Sequence, residues 1–335
     1  MAAADERGDA GGPGARRVLV TGAAGLVGRR VVEQLAAGDI DVIVALDLRA
    51  ATTPAARPNV IERCGDIRDP ELHALFAAHR IDTVVHLAAV VTPGPRSSRE
   101  LEYSIDVLGT ENVLRACLRA GVARLVYTSS GAAYGYHADN PPLLRESDPL
   151  RGNAEFAYAH HKRLVEEMLA RARREHPELR QLVFRPGTIL GERVASPITA
   201  LFERPILVGV CGSPAPFVLV WDEDVARGIV QGIGERWTGT YNLAGDGAIS
   251  LRQIARRLGK PYLAVPAPLL RAALWLAHAC GLSARGAEQV EFLQYRPVLS
   301  NQLLKAERGF APRYSSEECF EHYRRAVLGG AAEPA

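Results

Sequence analysis

The chain has 335 residues, 47% of them hydrophobic and 23% charged, with a formal net charge of +2. That length allows one large domain or a domain with an appendage, and so small a charge offers no footing for nucleic acid or an anionic membrane. Five scattered cysteines (Cys64, Cys117, Cys211, Cys280, Cys319) show no metal-type spacing, and no metal site is expected. They are expected to be small buried core residues of a cytoplasmic protein.

Residues 1–15 are rich in Ala, Gly and charge and lack the apolar core of a signal peptide, so they are expected to form a disordered tail. Arg17-Val18-Leu19-Val20 then reads as a buried strand running into Thr21-Gly22-Ala23-Ala24-Gly25-Leu26-Val27-Gly28. Behind it, Arg29 to Ala37 reads as a helix with Val31, Val32 and Leu35 on one face. A strand, a glycine turn and a helix in that order form a dinucleotide-binding fingerprint. Gly22 can take a backbone conformation closed to other residues. Gly25 lets the main chain approach a pyrophosphate, and Gly28 lets helix and strand pack closely. The free N–H groups at the helix start favour an anion.

Val42 to Leu46 reads as a second buried strand, ending in Asp47, nineteen residues past Gly28. A carboxylate there suits the adenosine ribose hydroxyls and repels a 2′-phosphate, which favours NAD over NADP. Arg49 argues the other way, and Asp47 could also be a plain turn residue. After a loop with Pro54 and Pro58, Asn59 to Cys64 reads as a strand leading to Asp66, whose carboxylate could accept from an adenine amino group. Pro70 to His79 reads as a helix, and Asp82 to Ala89 as a buried strand ending in small residues that would pass close beneath a cofactor. His86 within it is expected to be a packed core histidine.

Leu101 to Ala120 carries a long helical pattern, and Val122 to Tyr127 reads as a strand ending in Thr128-Ser129-Ser130. Alternating strands and helices argue for an α/β fold, a doubly wound parallel sheet of the Rossmann type covered on both faces. Right-handed crossovers gather the strand C-termini, and with them Gly28, Asp47, Asp66, Ala89 and Ser130, along one edge. Further on, Tyr158 and Lys162 lie four apart on a helical pattern and share a face. A tyrosine is a poor acid or base at neutral pH, and a neighbouring ammonium is expected to lower its pKa. Ser130 would hold a substrate oxygen beside Tyr158.

These motifs together resemble the extended short-chain dehydrogenase/reductase family, the group that includes the NAD-dependent epimerase/dehydratases. The residues that carry the likeness are Thr21-Gly22-x-x-Gly25-x-x-Gly28, Asp47, Asp66-Ile67, His86-Leu87-Ala88-Ala89, Ser129-Ser130, Tyr134-Gly135 and Tyr158-x-x-x-Lys162. The resemblance covers residues 16–245 by motif and continues weakly to about 328. It implies that Ser130, Tyr158 and Lys162 form the catalytic triad and that Leu26, Val27, Asp66, Ile67, Leu87, Ala88 and Ala89 line the NAD site. It also implies that the turn at Pro186 lies against the nicotinamide, where Tyr158 and Lys162 would meet its ribose. One departure stands out. The family's Asn-Val-x-Gly-Thr is here Asp106-Val107-Leu108-Gly109-Thr110, so the asparagine's amide donors are missing.

The resemblance divides the chain into an NAD-binding domain over 16–185 and 213–245 and a smaller, discontinuous C-terminal substrate domain over 186–212 and 246–330. Nucleotide-sugar members carry an asparagine near Arg185-Pro186-Gly187 and an arginine before the later Asp-Val-Ala helix. Here Pro216 to Trp221 precedes Asp224-Val225-Ala226, so an apolar wall is expected where a diphosphate would need donors. The apolar stretch from Leu269 to Leu282 is too short to span a bilayer and reads as a buried or pocket-lining helix. Arg296 could contact a polar substrate or a surface carboxylate.

The expected activity is an NAD-dependent oxidoreductase interconverting a secondary alcohol and a ketone on a partly apolar small molecule, with Tyr158 as acid and base. A nucleotide-sugar epimerase or dehydratase with transient hydride transfer is the alternative. A non-catalytic dinucleotide sensor is a third reading. A homodimer through the helices at 101–120 and 158–174 is expected by analogy alone.

Overall fold

The structure is a computed structural model that describes residues 16–49, 57–94, 97–280 and 286–329. The tail expected over 1–15, Pro54, and the ends of the expected apolar helix and of the substrate domain lie outside the described residues. Seven strands form one sheet: β1 (Arg17–Thr21), β2 (Val42–Asp47), β3 (Val60–Cys64), β4 (Thr83–His86), β5 (Arg124–Thr128), β6 (Arg180–Pro186) and β7 (Gly239–Leu243). Their order is β3-β2-β1-β4-β5-β6-β7 and every pairing is parallel. The apolar runs dictate this, because a strand buried on both faces cannot alternate with polar residues. Val18, Leu19 and Val20 are fully buried in β1, as are Val84 and Val85 in β4.

Helices cover both faces. On one, α1 (Leu26–Ala36) packs with its Val31 and Leu35 in the same core as Val225 and Ile229 of α5 (Asp222–Gly234). On the other lie α2 (Leu72–Ala78), α3 (Gly109–Ala120) and α4 (Ala157–Glu175), which bring Phe76, Val113, Cys117, Val165 and Leu169 into a second core. Strand order runs one way from β1 to β3 and the other way from β4 to β7. A crevice therefore opens between β1 and β4 at the strand C-termini.

Beyond β6 a smaller core gathers residues from 190–221, 249–255 and 319–323. Phe202 is its hub, with the rings of Phe217, Phe320 and Tyr323 at 5.5, 5.6 and 6.3 Å.

Three local expectations are corrected. The pattern over 101–120 is not one helix, because a π turn at Ser104–Leu108 separates the α-helix Arg99–Tyr103 from α3. The apolar helix α6 (Ala267–Ala279) lines the cleft through Leu270 and Leu274 but is not buried, since it has no buried residue and Leu269 and Trp275 are each 64% exposed. Its apolar side chains circle the helix while only one side faces the protein. Of the five cysteines only Cys117 and Cys319 are buried, and Cys64, Cys211 and Cys280 are exposed. Among the described residues no helix is long and apolar enough to cross a membrane.

The start of α1 is closely packed. A Cβ on Gly28 would stand 2.1 Å from the Gly22 carbonyl oxygen and 2.9 Å from the Ala23 Cα. Both are main-chain atoms, so no rotamer change relieves the clash. Gly28→Ala is expected to cost about 1–3 kcal/mol, seen as a lower urea midpoint at an unchanged slope. A midpoint equal to that of the parent chain would refute the close packing.

Candidate active site

At the crevice, Gly22 has φ +66° and faces the start of the segment after β4, where a Cβ would lie 2.7 Å from the Ala88 nitrogen. Only glycine fits there. Gly25 is the N-cap of α1 and supplies no side-chain cap, so the first-turn N–H groups stay open. A cradle without side chains, closed below by main chain and edged by free donors, suits a pyrophosphate. The Asp47 carboxylate accepts the N–H of Ala24 at 3.0 Å and of Arg49 at 3.1 Å, which ties the glycine turn to the end of β2. Both oxygens keep lone pairs for a ribose.

A cleft of about 1540 Å³ runs from this turn to the smaller core. It is lined by Gly22, Gly25, Leu26, Val27 and Gly28, then by Leu87, Ala89, Ser130, Tyr158, Lys162 and Pro186. Asp47, Asp66, Ile67 and Ala88 lie outside this lining. Asp66 is taken by Arg68, whose guanidinium donates to its carboxylate at 2.6–3.0 Å and, with the backbone bond, holds it below its usual range. Ile67 is buried against Gly109. The Ala88 N–H donates to Thr21 Oγ1 at 3.3 Å.

Three of the expected residues converge. Ser130 ends the stretch after β5 and caps a 3₁₀ turn, its Oγ accepting the Ala132 N–H at 3.1 Å, and it hydrogen-bonds the Tyr158 phenol. Tyr158 stands in the first turn of α4, and Lys162 one turn on has its Nζ 5.6 Å from the Tyr158 ring centre. That ammonium donates to Tyr127 Oη at 3.0 Å and to the Thr128 carbonyl at 2.8 Å.

The expectation that Lys162 lowers the Tyr158 pKa is corrected. Burial pushes the phenol well above its usual value, and only the Ser130 hydrogen bond pulls it back. The ammonium is aimed at the end of β5, so desolvation wins. Burial pushes Lys162 down to about 8, against Asp106 and then Glu166, which hold it up.

Two buried pairs lie behind these groups. Arg185 donates to Glu166 Oε2 at 2.7 Å and to Tyr134 Oη at 2.7 Å, while Ser129 donates to Glu166 Oε1. Burial opposes the Arg185 charge, yet Glu166 and Tyr134 hold its pKa above the usual value. Asp106 Oδ2 lies 3.0 Å from His161 Nδ1, and its Oδ1 accepts the Val90 N–H at 2.8 Å. His86 bridges Thr21 and Thr110 at 2.7 and 2.9 Å, and burial drives it down to about 3. It is a neutral core histidine, as its sequence setting suggests.

The far wall corrects the expected absence of donors. Of Pro216 to Trp221 only Val218 lines the cleft. Phe217 instead supports Arg296, whose guanidinium carbon lies 4.1 Å from the centre of its ring and 4.7 Å from that of Phe292. Arg296 Nη2 donates to Thr188 Oγ1 at 3.1 Å, while its Nη1 is closed off from solvent with no hydrogen-bond partner. Arg193 and Arg204 also line the cleft, as do Leu270, Leu274 and Phe292.

The sequence profile of the NAD dependent epimerase/dehydratase family matches residues 18–230. The chain belongs to this family. It is 31% identical over 179 residues to the UDP-glucose 4-epimerase of Erwinia amylovora, covering 50% of this chain and 52% of that one. An uncharacterized protein of Mycobacterium tuberculosis is 25% identical over 322 residues, 92% of this chain and 83% of the relative. The crystal structure of a Thermus thermophilus UDP-glucose 4-epimerase in complex with NAD superposes with a TM-score of 0.71. It is 25% identical and covers 94% of this chain and all of that one. The chain is therefore an NAD-dependent enzyme of the short-chain dehydrogenase/reductase type.

Sequence reasoning did not find Arg193, Arg204, Phe292 or His161. For His161 a signal existed. Positions 158, 161, 162, 165 and 169 follow the spacing of one helix face, so a histidine there had to be buried beside the tyrosine and lysine. The two arginines lie between elements with no periodicity around them, and Phe292 reaches the cleft only through the tertiary fold.

Lys162 makes a pH prediction. Its folded pKa of about 8 lies below its ordinary 10.5. Between those values the unfolded chain binds more protons, so stability rises with pH across that window. The cost of burying the ammonium is fully present below about 8. In Lys162→Met this rise should disappear, which urea melts on either side of the window would read. An identical pH slope in both proteins would contradict the burial of the charge.

Proposed function

We propose that this enzyme acts on a nucleotide sugar and works by transient oxidation of a ring hydroxyl, as an epimerase or dehydratase does. The observation that carries this reading is Arg296 in the cleft wall, whose Nη1 has no hydrogen-bond partner among the described residues, in a cleft that Arg193 and Arg204 also line. A stacked guanidinium with an unfilled hydrogen-bonding position suits a diphosphate, and leaving such a donor dry and unpaired costs energy that an anion would recover. The likeness to UDP-glucose 4-epimerases supports the same class.

In this reading the glycine turn at Gly22, Gly25 and Gly28, with the N–H groups of Leu26 and Val27, holds the cofactor pyrophosphate. Asp47 takes the adenosine ribose hydroxyls, and its charge selects NAD over NADP. NAD supplies a hydride acceptor that can return what it takes, so no net cofactor is consumed. Ser130 donates to the substrate oxygen and fixes it beside Tyr158. Tyr158 Oη removes the hydroxyl proton and later gives one back. The Lys162 ammonium holds the end of β5 beneath them. The nucleotide portion of the substrate rests on the smaller core, to which we assign substrate recognition.

The test is turnover of UDP-glucose and related nucleotide sugars with the reduced cofactor followed by absorbance. The expected result is an epimerised or dehydrated product with no accumulation of NADH. Stoichiometric NADH would instead support net oxidation of an alcohol, a reading favoured by the apolar Leu270, Leu274 and Phe292 in the same wall. Tyr158→Phe should lower turnover by about 10²–10⁴-fold while NAD still binds. Undiminished turnover in that variant would rule out Tyr158 as the acid and base, and an untouched biological activity without turnover would favour a non-catalytic sensor. Arg296→Met should weaken binding of the nucleotide diphosphate by about 10- to 100-fold, measured by calorimetry, and unchanged affinity would remove the basis of the substrate assignment.

A further inference from the structure

Asp106 and His161 have no part in the chemistry above, yet they meet directly behind it. Asp106 stands in the π turn Ser104–Leu108, and His161 precedes Lys162 in α4. Their side chains are only 6% and 5% exposed and lie 3.0 Å apart. The second carboxylate oxygen accepts the N–H of Val90, which lines the cleft just past β4. The ring of His161 also meets that of Tyr103 at 74°, with centres 5.7 Å apart.

We propose that Asp106 and His161 form a positioning pair that locks the π turn, the exit of β4 and the start of α4 together, and so fixes where Tyr158 and Lys162 stand. This rests on reading Tyr158 and Lys162 as the acid–base pair. A buried carboxylate is tolerated only when its oxygens are hydrogen-bonded. Here one oxygen is held by a backbone amide and the other by an imidazole on the catalytic helix. An asparagine at 106 could keep the Val90 bond, but it would carry no charge and would offer an amide to the ring nitrogen. The carboxylate and the imidazole are thus a matched set, and the unusual π turn is the device that turns Asp106 inward.

The pair also sets the local field. Lys162, Tyr158 and His160 stand around it on α4, Tyr103 ahead of the π turn and Tyr127 on β5. The Asp106 charge favours the Lys162 ammonium and disfavours the Tyr158 phenolate.

The full chain allows a direct test because it contains only three lysines, Lys162, Lys260 and Lys305. Acylation of each amine by a neutral reagent can be followed by peptide mass, with the half-buried Lys305 as the reference. His161→Leu removes the donor and should raise the labelling rate of Lys162 relative to Lys305 on the order of tenfold, as the start of α4 loosens. His161→Gln, whose amide can still donate to Asp106, should restore the slow rate. Asp106→Asn keeps the shape but loses the charge, and should move the pH midpoint of Lys162 labelling downward. The proposal is overturned if His161→Leu labels Lys162 no faster, if His161→Gln fails to restore it, or if Asp106→Asn leaves the midpoint in place. Should His161→Leu fail to fold, the other two variants still decide. Labelling needs no substrate, so inactivity on nucleotide sugars would unseat the proposed function and leave this result standing.

Discussion

At Gly22 the chain leaving β1 runs so close to the chain leaving β4 that a single methyl group would touch the Ala88 nitrogen. Everything else in the site depends on that contact of main chain with main chain. It holds the two central strands at the distance where the strand order reverses and the crevice opens. It also fixes the start of α1, where Gly28 rests against the same turn. A larger residue at either glycine would push the glycine turn away from the neighbouring strand ends.

Below the cleft the protein keeps several charges out of water, and the way they are paired explains their roles. Arg185 and Glu166 satisfy each other bidentately and anchor Ser129, the neighbour of Ser130. Asp106 is held by His161 and by the Val90 backbone. Lys162 is bonded to a carbonyl and a phenol, both neutral, so no carboxylate in direct contact offsets its burial. Its pKa therefore falls to about 8, within reach of neutral pH. The carboxylate-paired charges are locked, and Lys162 is poised.

The opposite wall is built by another principle. Arg296 is held by ring faces and one hydroxyl, with no carboxylate against it. Aromatic rings orient a guanidinium without neutralising it, so its charge stays available to an anion. Phe217 and Phe292 therefore do opposite things at once. They exclude water from the cleft and they present a cation to it.

The sheet, its order of strands and helices, the glycine turn and the Ser130, Tyr158 and Lys162 set were legible in the sequence. Each is written in local spacing, in apolar runs, glycines three apart, and a tyrosine and lysine one helical turn apart. Local spacing also gave the acid at the end of β2 and the departure at Asp106, but not what answers that departure. His161 lies 55 residues from Asp106, and Arg296 is 79 residues from Phe217. Which side chain faces which across such distances is set by how whole elements pack. The same holds for the direction of the Tyr158 pKa, where nearest neighbours in sequence pointed down and burial by the folded chain pushed up. Sequence determined the backbone frame and the cluster of Ser130, Tyr158 and Lys162 because short-range geometry encodes them. Tertiary structure decided the charge balance and the far wall of the cleft, because desolvation and pairing exist only once distant segments meet.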